Sequence, residues 1–275
     1  MCSLAPPRGR SRVALDLAMS LGQVLCVVTG ASRGFGLGVC RELGARVAPG
    51  SALLMVSRSE ETLRQEAERL RERCPGLAVH WVAADLSTEP GLRRTVTAAE
   101  EMKSGVEPQT LIIVNNAGSL GDITKRFVDM VDMGEVDGYL SFNVSSALCL
   151  TSSMLRSFPG LRSLVVNVSS LAAIKPFRSW ALYCAGKAAR DMMFRVLAEE
   201  EADLRVLSYG PGPLDTDMQE QVRTLTADAE LRQLFVNMKN EGKLVDIEMS
   251  ARKMLDVLLR DTYKSGDHVD FYDDV

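Results

Sequence analysis

The sequence predicts an α/β fold, built as a doubly wound parallel sheet of about seven strands with helices on both faces. Short apolar runs rich in Val, Ile and Leu alternate with longer segments that place apolar residues at helical spacing. A glycine-rich turn, TGASRGFG, directly follows the first apolar run, and no linker or internal repeat interrupts the pattern. We therefore predict a single domain of the Rossmann type.

Each apolar run is a strand candidate because it is short, rich in β-branched residues and bounded by glycine or polar residues. The predicted strands cover residues 24–30, 51–57, 77–86, 110–118, 163–170, 203–212 and 268–272. The predicted helices cover residues 35–47, 60–74, 91–103, 135–158 and 183–201. The helix at 60–74 has a charged face and ends before Pro75 and Gly76, a typical stop signal.

Two segments depart from this alternation of strands and helices. Residues 214–245 form a polar, helix-prone excursion after the sixth strand, at the sheet edge where α/β folds bind ligands. A surface insertion and a lid over a substrate explain this excursion equally well. Residues 1–22 carry three arginines and one acid, and we expect a poorly ordered extension ahead of the domain at 23–275 rather than a targeting segment.

Composition narrows the possible classes of function. With 46% hydrophobic and 25% charged residues the chain is typical of a globular protein, and its net charge of −4 argues against nucleic acid as a partner. No apolar run reaches 18 residues, so no membrane span is predicted. The six cysteines are scattered and the chain has two histidines, which argues against a disulfide framework and a protein-bound metal. Free thiols suit a reducing compartment, so we expect a cytoplasmic protein.

The turn after the first strand is the candidate cofactor site. Its glycines, Gly30, Gly34 and Gly36, allow a tight turn and let backbone N–H groups approach a pyrophosphate. The next helix contributes the positive end of its dipole. A plain strand–helix turn could have the same spacing, but its position after the first strand favours dinucleotide binding.

The end of the second strand indicates which dinucleotide binds. NAD-binding proteins usually carry an acid there, which bonds the ribose 2′-hydroxyl. Here the strand runs into Arg58, and Arg33 lies in the glycine turn. Two guanidinium groups suit a 2′-phosphate, so we predict NADP(H) as cofactor. Asp85, after the third strand, is placed to contact the adenine, although a helix N-cap explains it comparably well.

The segment SSLAAIKPFRSWALYCAGK, residues 169–187, carries the candidate catalytic groups. Tyr183 and Lys187 are four residues apart, so in a helix they share one face. An ammonium group beside a phenol lowers the phenol's pKa from about 10, which would make Tyr183 a proton donor to a carbonyl that receives a hydride. For this spacing alone, an aromatic core residue beside a solvated lysine is the simpler interpretation.

The order and spacing of these motifs resemble those of the short-chain dehydrogenase/reductases over about residues 23–275. The resemblance is carried by TGASRGFG, NNAG at 115–118, Asn143, Ser170, the Tyr183–Lys187 pair and Pro211-Gly212. Longer strings, such as SGDHVDFYD at 265–273, are similar to those of family members that reduce pterins.

The resemblance implies a role for each matching residue. The catalytic residues would be Asn143, Ser170, Tyr183 and Lys187. Tyr183 would donate the proton, Ser170 would hold the carbonyl oxygen, and Asn143 would hold a water beside the lysine. The cofactor would bind Gly30, Ser32, Arg33, Gly34, Phe35, Gly36, Arg58, Ser59, Asp85, Leu86, Asn116, Lys187, Leu214, Asp215, Thr216, Asp217, Met218 and Gln219. The substrate would contact Ser170, Leu171, Tyr183, Gly212 and Asp270.

The implied activity is the NADPH-dependent reduction of pterin side-chain carbonyls, in 6-pyruvoyl-tetrahydropterin and sepiapterin, as the final step of tetrahydrobiopterin synthesis. The carboxylate of Asp270 can accept two parallel hydrogen bonds from the amino-pyrimidinone of a pterin. Without the resemblance, a solvated charge at a strand end would be the simpler interpretation of Asp270. The family also implies a homodimer with an interface of helices around 134–158 and 183–201.

Two other functions stay open at this point. One is a broad-specificity carbonyl reductase of the same fold, and the other is an NADP-binding regulator without catalysis. No metal is expected in the reaction, because Tyr183, Ser170 and a positive Lys187 would stabilise the developing oxyanion.

Overall fold

The computed structural model describes residues 20–103, 105 and 107–275. Within these residues, seven strands form one parallel sheet in the order β3-β2-β1-β4-β5-β6-β7. They are β1 Val24–Thr29, β2 Ser51–Ser57, β3 Leu77–Ala83, β4 Thr110–Asn115, β5 Arg162–Val168, β6 Arg205–Gly210 and β7 His268–Asp270. The predicted doubly wound sheet is confirmed, and its strand order reverses between β1 and β4.

Helices cover both faces of the sheet. In the described residues they are α1 Gly34–Leu43, α2 Glu60–Arg73, α3 Glu89–Lys103, α4 Met133–Leu140, α5 Ser146–Ser157, α6 Ala181–Glu200, α7 Asp217–Leu225, α8 Ala229–Asn240 and α9 Ile247–Arg260. Alternate residues of β1 point to opposite faces. Val24, Cys26 and Val28 face a core with α1, α2 and α9, whereas Leu25 and Val27 face one with α3, α5 and α6. Burial on both faces explains why the sequence of β1 is continuously apolar.

Helix α9 has no counterpart among the predicted elements. It buries Ala251, Met254, Leu255 and Leu258 in the core that it shares with α1. This spacing is that of an amphipathic helix, so the sequence does contain a signal for it.

The predicted helix at 135–158 is interrupted, which corrects its boundaries. A π-helical segment, Ser141–Ser145, joins α4 to α5, and the Ser146 N–H bonds the Ser141 carbonyl five residues back. The Asn143 side chain accounts for the interruption. Its Nδ2 donates to the Tyr139 carbonyl at 2.9 Å, and in a regular helix that carbonyl would accept from the Asn143 backbone. Such π-helical turns are frequent at functional sites.

The excursion at 214–245 folds into α7 and α8. Val222 and Phe235 from these helices belong to an apolar cluster that also contains Trp180 and Tyr183. The two helices thus pack on the segment with the candidate catalytic tyrosine, and a lid over the substrate stays a prediction.

Of the predicted N-terminal extension, residues 1–19 lie outside the described part of the chain. Residues 20–22 contact the domain, where the Leu21 N–H donates to the Arg46 carbonyl at 2.7 Å. Among the described residues, no helix has the length and apolar character needed to cross a membrane.

Candidate active site

The glycine-rich turn lies where the strand order reverses, at the carboxyl ends of β1 and β4. Gly30 and Gly34 have φ angles of 66° and 57°, which residues with a Cβ rarely adopt. A Cβ on Gly36 would lie 2.4 Å from Asn116 Nδ2 and 2.5 Å from the Gly30 carbonyl oxygen. Asn116 Nδ2 also donates to the Thr29 carbonyl at 2.8 Å. The turn is therefore held against the end of β4, with no room for a side chain at Gly36.

Helix α1 presents an uncapped N-terminus to this turn. Its N-cap residue, Arg33, makes no side-chain hydrogen bond to the helix, and the first turn of the helix contains no acid. The free N–H groups and the positive end of the dipole favour an anion such as a phosphate. Phe35 anchors the turn by stacking on Tyr209, with 6.0 Å between ring centroids, while Ser32 stays half-buried.

The two arginines predicted to meet a 2′-phosphate differ in their surroundings. Arg33 Nη1 lies 2.5 Å from Oδ2 of Asp217 in the first turn of α7, so this guanidinium already has a carboxylate partner. Arg58 follows β2, beside Ser59, and its side chain is exposed. Its charge helps to lower the pKa of Asp85, after the larger effect of hydrogen bonds from Ser87. Arg58 is thus the better placed of the two for a phosphate.

Asp85 and Leu86 lie at the carboxyl end of β3. Asp85 Oδ1 accepts hydrogen bonds from the Ser87 N–H at 3.0 Å and the Ser87 hydroxyl at 2.7 Å, which closes a turn. Thr88 directly precedes α3, and its Oγ1 accepts from the Gly91 N–H at 3.2 Å. Thr88 is therefore the N-cap of α3, and the N-cap interpretation of Asp85 is wrong. Leu86 is buried in the core, and contact of either residue with an adenine stays a prediction.

Tyr183 and Lys187 lie one turn apart near the start of α6, as predicted, and are 8% and 9% exposed. Lys187 Nζ lies 5.6 Å from the centroid of the Tyr183 ring and donates to the Val168 carbonyl at 2.6 Å. The Tyr183 ring meets Trp180 edge to face, with 5.7 Å between centroids. The pair is thus fixed at the end of β5, in largely water-free surroundings.

The pKa values of this pair differ from the expectation. Burial raises the pKa of Tyr183, and the nearby Ser170 hydroxyl and the charge of Arg190 offset that effect only in part. Burial, followed by Arg190, also lowers the pKa of Lys187 to about 7, while Asp191 acts in the opposite direction. For the protein's own groups, the predicted lowering of the phenol pKa by a charged lysine is wrong, because loss of hydration outweighs the local charges.

Ser170 begins a short 3₁₀ turn, Leu171–Ala173, after β5. Its Oγ accepts from the Ala172 N–H at 3.2 Å and is close enough to the Tyr183 phenol to lower the pKa of that group. Leu171 is 37% exposed at the rim of this site. The structure thus brings Ser170 and Tyr183 together, the two groups predicted to bind one carbonyl oxygen.

Asn143 lies in the π-helical segment and is buried. Its Oδ1 accepts from the Ser119 N–H at 2.7 Å, and its Nδ2 donates to the Ser119 hydroxyl and the Tyr139 carbonyl. Protein groups therefore occupy the carboxamide. The predicted role in holding a water would fall to the main-chain carbonyl, which Arg190 Nη1 approaches at 3.5 Å.

A buried guanidinium that the sequence analysis missed organises the region. Arg190 on α6 is 1% exposed and donates from Nε to Asn167 Oδ1 at 2.8 Å. It also bonds the carbonyls of Asn115 and Ala117, so that it joins α6 to the ends of β4 and β5. The sequence did contain a signal for this role. Arg190 lies three positions after Lys187, on a helix face that must be buried, where an arginine is unusual.

Replacing Arg190 by methionine should lower the free energy of unfolding by about 3 kcal/mol, because several buried acceptors would lose their donor. Urea denaturation measures the loss. Arg195→Met is the matched control, because Arg195 is exposed on the same helix and should change the stability by less than about 0.5 kcal/mol. Equal losses in the two variants would argue against the anchoring role.

Residues 214–216 lead from β6 into α7, and residues 217–219 form the first turn of that helix. Thr216 caps α7 by accepting from the Gln219 N–H at 3.3 Å, and Met218 packs on the apolar cluster around Tyr183. The Gln219 carboxamide is buried, and neither of its polar atoms has a hydrogen-bond partner in the described residues. The other positions are fixed by neighbours: Leu214 by a bridge to Val245, Asp215 by Lys239 and Asp217 by Arg33.

Asp270, the predicted substrate anchor, ends β7 and is half-buried. A Cβ on Gly210 would lie 2.7 Å from Asp270 Oδ2, and Oδ1 accepts from the Tyr272 N–H at 3.3 Å. Gly212 has a φ of 77° and lies next along the same edge. Because β5, β6 and β7 are neighbours and parallel, Asp270 and Ser170 lie at one edge of the sheet.

Known proteins that are similar to this chain belong to one family of reductases. The short chain dehydrogenase family model matches residues 25–226. The sepiapterin reductase of Xenopus laevis is 61% identical over 93% of this chain and 98% of the relative, and that of Rattus norvegicus is 50% identical over 92% and 98%.

Solved structures give the same assignment of fold. A short-chain dehydrogenase/reductase from Saccharomyces cerevisiae has a TM-score of 0.77 at 27% identity, covering 92% of this chain and 97% of that one. The L-sorbose reductase of Gluconobacter frateurii, solved with NADPH and L-sorbose, has a TM-score of 0.76 at 22% identity, over 92% and 96%. The chain belongs to the short-chain dehydrogenase/reductase family, and within it to the group of the sepiapterin reductases.

Proposed function

We propose that this protein reduces the side-chain carbonyls of pterins with NADPH. Its substrates are 6-pyruvoyl-tetrahydropterin and sepiapterin, in the last step of tetrahydrobiopterin synthesis. The observation that carries the proposal is the placement of a carboxylate, Asp270, at the sheet edge where Ser170 lies close to Tyr183. The likeness to sepiapterin reductases over nearly the whole chain supports the choice of substrate.

The residues at the ends of β1 and β2 fit an NADP dinucleotide. The turn at 30–36 leaves no room for a side chain at Gly36, and α1 offers free N–H groups to a pyrophosphate. Arg58 stands where NAD-binding proteins have an acid, so it would hold the 2′-phosphate. Asn116, Lys187 and residues 214–219 would hold the nicotinamide half, and Ser59, Asp85 and Leu86 would flank the adenosine. When bound, NADPH supplies the hydride that reduces the carbonyl carbon.

The chain supplies the proton. Burial keeps the Tyr183 phenol protonated at neutral pH, which is the state that a proton donor needs. Ser170 donates a hydrogen bond to the carbonyl oxygen and aligns it with the phenol. As negative charge develops on that oxygen, Tyr183 transfers its proton, and a protonated Lys187 stabilises the phenolate that is left. A lysine with a pKa of about 7 can gain and lose its own proton near neutral pH.

Asp270 orients the substrate. Its carboxylate accepts two hydrogen bonds from the amino-pyrimidinone edge of the pterin, which leaves the side-chain carbonyl at the opposite end, toward Ser170. Leu171 and Gly212 line the space between these ends. A carbonyl compound without the ring gains nothing from this carboxylate, so the pterin preference depends on Asp270.

We also propose a cytoplasmic homodimer. Leu148 on α5 and Met192 and Val196 on α6 are apolar and 45–55% exposed, which suits a four-helix interface between two copies. The cysteines of the described residues, including the buried Cys26 and Cys40, are free thiols, as expected in a reducing compartment. Sedimentation of the purified protein at micromolar concentration tests the oligomeric state.

Purified protein with NADPH and sepiapterin tests the proposed function through the reduced pterin that forms. We expect rapid turnover of sepiapterin and slower turnover of a small diketone without the ring. Turnover of the diketone alone would indicate a broad-specificity carbonyl reductase. Absence of turnover with both compounds would indicate an NADP-binding regulator.

Arg58→Ala should raise the KM for NADPH by at least about tenfold and leave the KM for NADH unchanged, because one charge-assisted contact to the 2′-phosphate is lost. Steady-state kinetics with the two cofactors measures the difference. Arg73→Ala is the control, since this exposed arginine ends the helix that follows Arg58. An equal rise in the KM values for NADPH and NADH would show that Arg58 does not bind the 2′-phosphate.

A further inference from the structure

A buried histidine–aspartate pair links the substrate end of the sheet to the catalytic helix. His268 lies on β7 two residues before Asp270, so both side chains lie on the same face of the strand. Its Nδ1 lies 2.6 Å from Oδ2 of Asp191 on α6, and the two side chains are 10% and 6% exposed. Asp191 follows Tyr183 and Lys187 at four-residue intervals, on one face of α6.

The Asp191 carboxylate also holds the strand that leads to the catalytic serine. Its Oδ1 accepts from the Ser169 hydroxyl at 2.5 Å and from Asn167 Nδ2 at 2.8 Å. Ser169 directly precedes Ser170. The Asp191 carboxylate therefore links three elements. It belongs to α6, it bonds the end of β5 directly, and it bonds β7 through His268.

The other ring nitrogen of His268 lies on the side of the substrate anchor. Nε2 is buried and has no hydrogen-bond partner in the described residues. A Cβ on Gly210 would lie 3.4 Å from this Nε2 and 2.7 Å from Asp270 Oδ2, so the two atoms flank the same point. A protonated ring therefore places a positive charge between Asp191 and Asp270.

The charged groups that face this imidazole are all acids. They are Asp191 from α6 and Asp270 and Asp273 from the end of the chain. The hydrogen bond with Asp191 is the largest effect and raises the pKa of His268, against the opposing effect of burial. Two cations on α6, Lys187 and Arg190, interact with the charge of Asp191. The acids that face His268 thus favour the protonated ring more than water does around a free imidazole.

We propose that His268 is a positioning residue for the substrate, which as an imidazolium joined to Asp191 holds the Asp270 carboxylate in the orientation that receives the pterin ring. The proposal rests on the proposed function, since it assigns Asp270 to the pterin. A group with a raised pKa exerts its effect below that pKa and loses it as the pH rises through it. Binding of the pterin should therefore weaken as His268 loses its proton, while the catalytic groups on α6 stay in place.

His268→Asn tests the proposal, because asparagine Nδ2 can still donate to Asp191 but carries no titrating charge. We expect the KM for sepiapterin to rise by at least about tenfold at a pH of about 6, with kcat within about threefold of the wild type. The wild type should show a rise in KM as His268 loses its proton, and this rise should be absent in the variant. A diketone without the amino-pyrimidinone should keep its wild-type KM in both proteins.

His80→Asn is the matched control, because it changes the only other histidine of the chain, on β3 at the opposite end of the sheet. It should keep the wild-type KM and pH profile. Because His80→Asn leaves His268 as the one histidine of the chain, the imidazole NMR signals of this variant, prepared without a histidine tag, report His268 directly. Sepiapterin with NADP+ should raise the pKa of that imidazole, since binding that favours the protonated ring must be favoured by it in return.

An unchanged KM and pH profile in His268→Asn would overturn the proposal, as would an imidazole titration that does not respond to sepiapterin. The NMR measurement decides the question even if His268→Asn does not fold. Failure of the proposed function would give another result, because the wild-type protein would then not reduce sepiapterin. Normal wild-type turnover combined with an insensitive variant rejects the positioning role alone.

Discussion

Tyr183→Phe should lower kcat for sepiapterin by about 10²- to 10⁴-fold, the contribution expected of a proton donor in the transition state. The change removes the phenolic hydroxyl and keeps the ring that packs against Trp180. The fold and the binding of NADPH should therefore be unaffected. Stopped-flow consumption of NADPH measures the rate, and fluorescence titration with NADPH measures the binding.

Tyr263→Phe is the matched control for this change. Tyr263 is also buried, and its hydroxyl has no hydrogen-bond partner in the described residues. It lies against Arg205 at the start of β6, away from the ends of the strands that form the site. Its replacement should leave kcat within about twofold. A rate for Tyr183→Phe within about tenfold of the wild type would be incompatible with Tyr183 as the acid.

The sheet could be predicted from the sequence because its signals are local. The five central strands, β2, β1, β4, β5 and β6, are buried on both faces, so each appears as one continuous apolar run, and the glycine turn marks the first strand and helix. Helix α9 has an equally local signal in its spacing of buried residues, but it follows the excursion at 214–245, where the alternation of strands and helices is lost. The break in helix 135–158 depends on one side chain, Asn143, taking the carbonyl of Tyr139.

The candidate site was predictable where a motif lies within one turn or one helix. The four-residue spacing of Tyr183 and Lys187 fixes their common face, and the structure places them together. The sign of their pKa shifts was not predictable, because spacing says nothing about how much water each group loses. The partners of Arg33 and His268 were equally hidden, since Asp217 and Asp191 are 184 and 77 residues away along the chain.

Asp270→Asn should raise the KM for sepiapterin by about a hundredfold, with a smaller change in kcat. The carboxylate offers two acceptors to the pterin, whereas asparagine turns one of them into a donor that faces another N–H. Loss of a charge-assisted pair of hydrogen bonds accounts for a change of this size. Steady-state kinetics with sepiapterin and with a small diketone measures the effect, and the diketone should be reduced as by the wild type.

Asp274→Asn is the control for this last change, because it removes an exposed carboxylate four residues further along the chain and should leave both substrates unaffected. The comparison of substrates separates three outcomes for Asp270→Asn. Selective loss of the pterin supports a direct hydrogen bond to the ring. Equal losses for pterin and diketone would instead mean that the end of β7 is distorted. If neither substrate is affected, the carboxylate does not select the pterin, and the broad-specificity reductase becomes the better account of this site.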